Sequence, residues 1–256
     1  MSAERLAALI GESRPCVVLT GAGVSTESGI PDFRSPSGIW ARYDPQEYAT
    51  IEAFRRDPVK VWAFYRRRID VLTSAQPNAA HRALAALEHA GFVRAIVTQN
   101  VDRLHERAGS RNVVEVHGSI RTSSCLQCRT SFGFDAVARM LASAPAPACP
   151  RCGSILKPDV VMFGELLSPD AIARAARLAR EARLLLVVGS SLSVYPVADL
   201  PNDTLRASGK LAIVNAETTP FDRHADLVIR APAGKTLEEV RRLLASVPGT
   251  DGGPAP

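Results

Sequence analysis

Four cysteines set the first chemistry that this chain can hold. Cys125-x-x-Cys128 and Cys149-x-x-Cys152 stand as two pairs with twenty residues between them. Each Cys-x-x-Cys turn can aim two thiolates at one point, and two such turns complete a sulfur tetrahedron about 2.3 Å from a Zn²⁺ ion. Gly153 follows the second pair, as a tight ligand knuckle requires. Four sulfurs fill the coordination shell and leave no open position for water or substrate, so the expected zinc is structural. The fifth cysteine, Cys16, lies in an apolar run and is expected to be a buried core thiol.

A second chemistry is concentrated between Cys16 and Trp40. The run Cys16-Val17-Val18-Leu19 has the length and composition of a buried strand and turns sharply through Gly21-Ala22-Gly23. Glycines here let the backbone approach a ligand, with amides expected to face phosphate oxygens. Thr26 occupies the place of the third glycine in a GxGxxG fingerprint, so the turn alone decides little. Ser25, Thr26 and Ser28 add hydroxyls, and Asp32-Phe33-Arg34 puts an acid, an aromatic ring and a guanidinium side by side. A loop closing over a nucleotide uses such a set: Arg for phosphate or ribose, Phe to cover a ring, Asp to orient a polar group. A third group is His117, at the end of the apolar run 113–116 and before Gly118. An imidazole of near-neutral pKa suits a base that strips a hydroxyl proton. His105 reads as a helix residue, and His81, His89 and His224 as surface residues.

The elements that must position these groups alternate. Helices are expected over 3–10, 59–72, 79–89 and 169–182, and strands over 16–19, 93–98, 113–116, 184–188, 211–214 and 226–229. Asp57-Pro58 reads as an N-cap with proline at the first helical position. Residues 35–57 read as irregular, Thr236-Leu237-Glu238-Glu239 as a capping box opening the last helix, and 249–256 as a frayed tail. Strands alternating with amphipathic helices make an α/β fold, a Rossmann-like doubly wound parallel sheet, whose ligands sit at the carboxyl ends of the strands. Five strand ends carry small or polar groups: Gly21-Ala22-Gly23, Gln99-Asn100-Val101-Asp102, His117-Gly118, Gly189-Ser190-Ser191 and Asn215-Ala216-Glu217.

At 256 residues, with 46% hydrophobic and 22% charged residues, the chain has the composition of a soluble globular protein. No apolar run approaches the roughly 20 residues of a membrane span, and residues 1–10 lack the pattern of a signal peptide, so a cytoplasmic protein without membrane partners is expected. The formal charge of +5 hints at acidic partners. However, four zinc-bound thiolates lower it, and the basic residues are dispersed apart from Arg66-Arg67-Arg68, so no specific nucleic acid is expected. Nothing fixes the oligomeric state; a monomer is compatible.

Taken together, the motifs GAGVSTESGIPDFR (21–34), TQNVDRLHERAG (98–109), EVHGS (115–119), the paired Cys-x-x-Cys, KPDVVMFGE (157–165), VVGSSLSVYP (187–196) and VNAE (214–217) resemble the sirtuin family of NAD-dependent protein deacylases. They follow family order over nearly the whole chain; Gly189-Ser190-Ser191 stands where the family more often has Gly-Thr-Ser. The resemblance implies a Rossmann-like NAD-binding domain (1–34, 76–118 and 159–256). It also implies a small domain made of a helical module (35–75) and a zinc-binding module (119–158).

On the same resemblance, NAD is a co-substrate lying near Gly21, Ala22, Gly23, Ser25, Thr26 and Glu27, with Asp32, Phe33, Arg34 and Trp40 around its phosphates and nicotinamide ribose. Gln99, Asn100 and Asp102 would line the nicotinamide pocket, and Gly189, Ser190, Ser191, Asn215, Ala216, Glu217 and Ala233 the adenosine end. The amide oxygen of an acyl-lysine protein or peptide would attack C1′ as nicotinamide leaves. His117, with Asn100, would then serve deprotonation of a ribose hydroxyl and rearrangement to free lysine and 2′-O-acyl-ADP-ribose. The peptide backbone would run between Val161, Phe163, Gly164 and Glu165 on one side and Ser193, Val194 and Tyr195 on the other.

Tyr65 and Arg68, spaced i,i+3, share a helix face and resemble the Tyr-x-x-Arg pair of sirtuins that remove succinyl, malonyl or glutaryl groups. Ala49 matches the small residue of those members. A carboxylate on the acyl tail needs a fixed guanidinium and a hydroxyl in an apolar pocket. Deacetylation is expected to persist. The alternatives are a plain deacetylase or mono-ADP-ribosyltransferase of the same family and, from another class, a non-catalytic NAD-sensing zinc-ribbon adaptor, against which His117 and Asn100 argue.

Overall fold

The structure is a computed structural model, and it describes residues 2–246. The chain opens with α1 (Ser2–Glu12) and β1 (Cys16–Thr20), then passes through α2 (Pro45–Tyr48), α3 (Ile51–Arg56), α4 (Pro58–Ser74) and α5 (Ala79–His89). Next come β2 (Val93–Thr98), α6 (Leu104–Arg107), β3 (Val113–Glu115), β4 (Gly118–Cys125), β5 (Ser131–Gly133), α7 (Phe134–Ser143) and β6 (Leu156–Val160). The last third holds α8 (Pro169–Glu181), β7 (Leu184–Val188), α9 (Leu200–Arg206), β8 (Lys210–Val214), β9 (Leu227–Ile229) and α10 (Ala233–Ala245).

Six strands form one sheet in the order β3-β2-β1-β7-β8-β9, all pairs parallel. Every residue of β1 (CVVLT) and β7 (LLLVV) is buried. Helices cover both faces there, which is why these strands read as continuous apolar runs rather than alternating ones. One face packs on α1, α5 and α10 through Leu6, Ile10, Leu84, Leu237 and Val240; the other packs on α8 and α9 through Leu178 and Leu200. The chain reverses its winding between β1 and β7, so a crevice opens at their carboxyl ends. No helix among the described residues is long and apolar enough to cross a membrane.

A three-stranded antiparallel sheet, β5-β4-β6, belongs to a third core that joins residues 39–65 to residues 125–162. Trp62 lies at its centre, 1% exposed, and donates its indole N–H to Leu156 O at 2.7 Å. Asp57 caps α4 as expected, its carboxylate accepting from Lys60 N at 2.9 Å.

Three expectations are corrected. Residues 35–57 are not uniformly irregular: they hold a 3₁₀ turn at Ile39–Ala41 and the helices α2 and α3, started by the side chains of Asp44 and Thr50. Helices of four and six residues are too short to leave a periodic signal. The last helix begins at Ala233 rather than at Thr236, whose hydroxyl donates back to Pro232 O. Its first turn is capped from elsewhere, because Gly234 N donates to Glu27 Oε1 at 2.8 Å. Third, His81 is not on the surface but fully buried; His89 and His224 are exposed. The tail read at 249–256 lies outside the described residues.

Candidate active site

A cavity of about 700 Å³ lies at the carboxyl ends of the central strands. With the exception of Ser193, every residue assigned above to catalysis, NAD or the acyl substrate lines it. Phe64, Met162 and Arg230 line it as well and were not picked out from the sequence.

The glycine turn has a different local role from the one expected. Gly21 N donates to Val188 O at 3.2 Å and Gly23 N to Gly189 O at 2.9 Å, so neither amide faces a phosphate. A Cβ on Gly21 would stand 2.8 Å from Gly189 O, and one on Gly23 would stand 2.9 Å from Gly189 Cα. Gly189 itself has φ +61°, a conformation that favours glycine. These glycines let the ends of β1 and β7 touch backbone to backbone, which closes the floor of the crevice.

Under that floor lies a buried polar network. Asn100 Nδ2 donates to Gly21 O and to Ser25 Oγ, both at 3.1 Å, and Asn100 Oδ1 has no hydrogen-bond partner among the described residues. Ser25 Oγ donates to Asp102 Oδ2 at 2.7 Å, and Asp102 Oδ1 accepts from Leu104 N at 2.9 Å. Burial raises the Asp102 pKa above the ordinary carboxylate value, opposed in part by these bonds. His81 Nδ1 accepts from Asn78 N at 3.3 Å, so its proton sits on Nε2, 3.4 Å from Ser25 Oγ. Burial lowers His81 to about 4 and lowers His105 well below the usual histidine range, so both rings are neutral near pH 7. Their ring centres lie 4.8 Å apart with the planes tilted by 59°, and His105 Nε2 meets Thr20 Oγ1 at 3.0 Å. Sequence reading missed this pair because a histidine within an apolar helix face carries no local mark; the Asn78-to-His81 spacing of a capping box was the available signal.

His117 is half-buried on the same rim. Its Nδ1 lies 3.1 Å from Gln99 O. A carbonyl can only accept, so Nδ1 carries the proton and Nε2 keeps its lone pair. Burial lowers the His117 pKa, and the Gln99 carbonyl partly opposes this. The arrangement gives a neutral imidazole, oriented by the backbone, with a basic nitrogen available. Gln99 in turn donates to Ser190 Oγ at 2.9 Å.

Asp32 Oδ1 accepts from Arg34 N at 3.1 Å and Ser35 N at 2.9 Å, so it shapes its own loop. Arg34 has no ion pair among the described residues, and burial lowers its pKa. A guanidinium on a cavity wall without an ionic partner among the described residues is suited to an anion. The cavity thus fits a dinucleotide: a crevice at the winding reversal, an unpaired guanidinium, and the polar strand end Asn215–Glu217.

Deeper in, Arg68 lies 4.9 Å from the ring centre of Phe33 and 5.5 Å from that of Phe64. It has no ion pair or hydrogen bond among the described residues, and burial lowers its pKa. Tyr65 beside it is 7% exposed, and burial pushes its phenol up to about 12. Ala49, also buried, lines the same cavity.

Beside the cavity, two backbone edges are unpaired. The amide and carbonyl of Gly164, and those of Ser193 and Tyr195, have no hydrogen-bond partner among the described residues. Glu165 is internally engaged: its amide donates to Met162 O at 3.0 Å, and its carboxylate accepts from Met162 N at 2.8 Å and pairs with buried Lys157 at 2.9 Å. It therefore holds the loop in shape.

The four cysteine sulfurs lie within 4.8 Å of one another. Cys125 and Cys152 are 3.4 Å apart and Cys128 and Cys149 3.6 Å, close to the roughly 3.8 Å edge of a ZnS₄ tetrahedron. Cys128 N donates to Cys125 Sγ at 3.4 Å, and Gly153, at φ +77°, closes the second knuckle. The donor set fits one structural Zn²⁺. Cys125 and Cys149 are part of the core around Trp62. Removing the metal with a chelator, in a Trp40→Phe background, is therefore expected to shift Trp62 fluorescence to the red and to expose β4 and β6 amides to exchange. Unchanged protection after metal release would show that the zinc does not hold this core.

Residues 21–196 match the Sir2 family. NAD-dependent protein deacylase 1 of Archaeoglobus fulgidus is 46% identical over 239 residues, covering 93% of this chain and 96% of the relative. The NAD-dependent protein deacetylase of Sulfolobus acidocaldarius is 48% identical over 239 residues, covering 93% of each. Among solved structures, a Sir2 protein with a p53 peptide and NAD⁺ superposes with a TM-score of 0.86 at 41% identity, covering 96% of this chain and 98% of that one. A Sir2 protein bound to a propionylated peptide gives the same values.

Proposed function

The chain belongs to the Sir2 family of NAD-dependent protein deacylases and deacetylases, and from that premise we propose that it prefers acyl-lysines whose acyl group ends in a carboxylate: succinyl, malonyl or glutaryl. The observation that carries this reading is Arg68, a half-buried guanidinium near the rings of Phe33 and Phe64 on the cavity wall, with no anionic partner among the described residues. A half-buried cation with no anion beside it is left incompletely compensated, and a ligand carboxylate relieves that while gaining charge-assisted hydrogen bonds.

The remaining roles follow from position. Arg34 binds NAD phosphate or ribose oxygens, and Asn100 presents Oδ1 to a donor on the nicotinamide ribose. His117 removes a proton from a ribose hydroxyl through Nε2, its Nδ1–H fixed on Gln99 O. A mostly apolar pocket limits water while the amide oxygen of the acyl-lysine is held in line with C1′. The substrate backbone adds as a strand between Gly164 and the Ser193/Tyr195 edge. Matched peptides carrying succinyl-lysine or acetyl-lysine, with NAD and nicotinamide release as the readout, test the preference. Succinyl is expected to exceed acetyl in kcat/KM by about tenfold or more. Acetyl equal to or above succinyl would make this a plain deacetylase.

A further inference from the structure

We propose that Glu52 selects substrates carrying a lysine or arginine within two residues of the acyl-lysine, an inference that rests on the peptide lying beside Gly164. Glu52 is the second residue of α3, and α3 is locked to the peptide-facing loop. Ile51 N donates to Phe163 O at 3.0 Å and Phe163 N to Ala49 O at 2.9 Å. A Cβ on Gly164 would stand 3.0 and 3.3 Å from the two Glu52 carboxylate oxygens, so the carboxylate lies directly against the residue whose backbone is free. Any strand that pairs with Gly164 passes within reach of that charge.

The charge is also unneutralised. Glu52 is exposed and has no ion pair or hydrogen bond among the described residues. Nearby, Glu47 holds both Arg56 and Lys60, and Glu165 holds Lys157, so the other carboxylates of this region are paired. Arg55, one turn along α3, forms no ion pair with Glu52. Residues 161–166 and 191–196 bring no charged side chain except the paired Glu165. Beside these two segments Glu52 brings a negative charge unpaired among the described residues, which attracts a cationic neighbour of the acyl-lysine and repels an acidic one.

The test uses acetyl-lysine peptides with Lys, Gln or Glu at each of the two positions on either side. An exposed pair contributes modestly, and exchanging Lys for Glu turns attraction into repulsion. At about 0.05 M salt, kcat/KM is therefore expected to favour Lys over Glu by about fivefold at one position at least, and by less than about twofold at 0.5 M salt. In Glu52→Gln the ratio is expected to fall to near one, and in Glu52→Lys to invert. A wild-type enzyme indifferent to flanking charge, or a preference that survives Glu52→Gln, would overturn the inference. Absence of nicotinamide release from every peptide would instead strike at the deacylase reading on which it rests.

Discussion

Replacing His117 with tyrosine is expected to lower NAD-dependent deacylation by about 10²–10⁴-fold, the range that positioned acid–base groups supply. The imidazole is fixed by one bond, from Nδ1 to Gln99 O at 3.1 Å, and belongs to none of the hydrophobic cores. Its loss should therefore leave folding, zinc content and NAD binding near those of the parent, so the deficit falls on kcat. The pH dependence separates a base from a mere wall residue. A base must be neutral, and burial lowers the His117 pKa from its ordinary 6.5. Activity limited by this group is present above the lowered pKa and lost as pH falls through it, so the acid limb of kcat/KM should lie below pH 6.5. An acid limb above that value, or turnover retained in His117→Tyr, would remove His117 from the chemistry.

Local spacing and strand-end position were legible in the sequence; contact between distant segments was not. Local spacing reported the zinc knuckles and the Tyr65/Arg68 face, since both depend on a few consecutive residues. The strand-end rule gathered 21–23, 99–102, 117, 189–191 and 215–217 onto one rim, because a parallel sheet fixes which ends of its strands share a side. Long-range backbone contact left no such mark. Gly21 and Gly23 line the cavity, but their amides are turned onto Val188 O and Gly189 O, and Gly189 leaves no room for a Cβ on either. Glu27 looked like a nucleotide contact; it lines the cavity while its carboxylate caps α10, more than two hundred residues later. His81 became legible only when α5 was seen to pass beneath Ser25. In each case the missing information was the neighbour, not the residue.

Arg68→Met is expected to lower kcat/KM for succinyl-lysine peptides by about 10²–10³-fold, the range for loss of one desolvated charge-assisted pair. Methionine keeps the apolar stem between Phe33 and Phe64 but has no charge to meet a carboxylate. Acetyl-lysine turnover should fall by much less, since an acetyl group ends in a methyl and asks nothing of the guanidinium. Arg68→Lys discriminates further. It keeps the charge but loses the planar fork, so it should recover only part of the succinyl activity. Stability should not fall with it. Arg68 is a half-buried cation without an anion among the described residues, so its replacement by an apolar side chain of similar length should leave the melting temperature unchanged or raise it. A protein that keeps its stability while losing one acyl class and keeping another has given up a site adapted to its ligand rather than a structural contact. If Arg68→Met instead lowers acetyl and succinyl activity together and also lowers stability, the guanidinium serves the packing of Phe33 and Phe64, and the carboxylate pocket must be sought elsewhere.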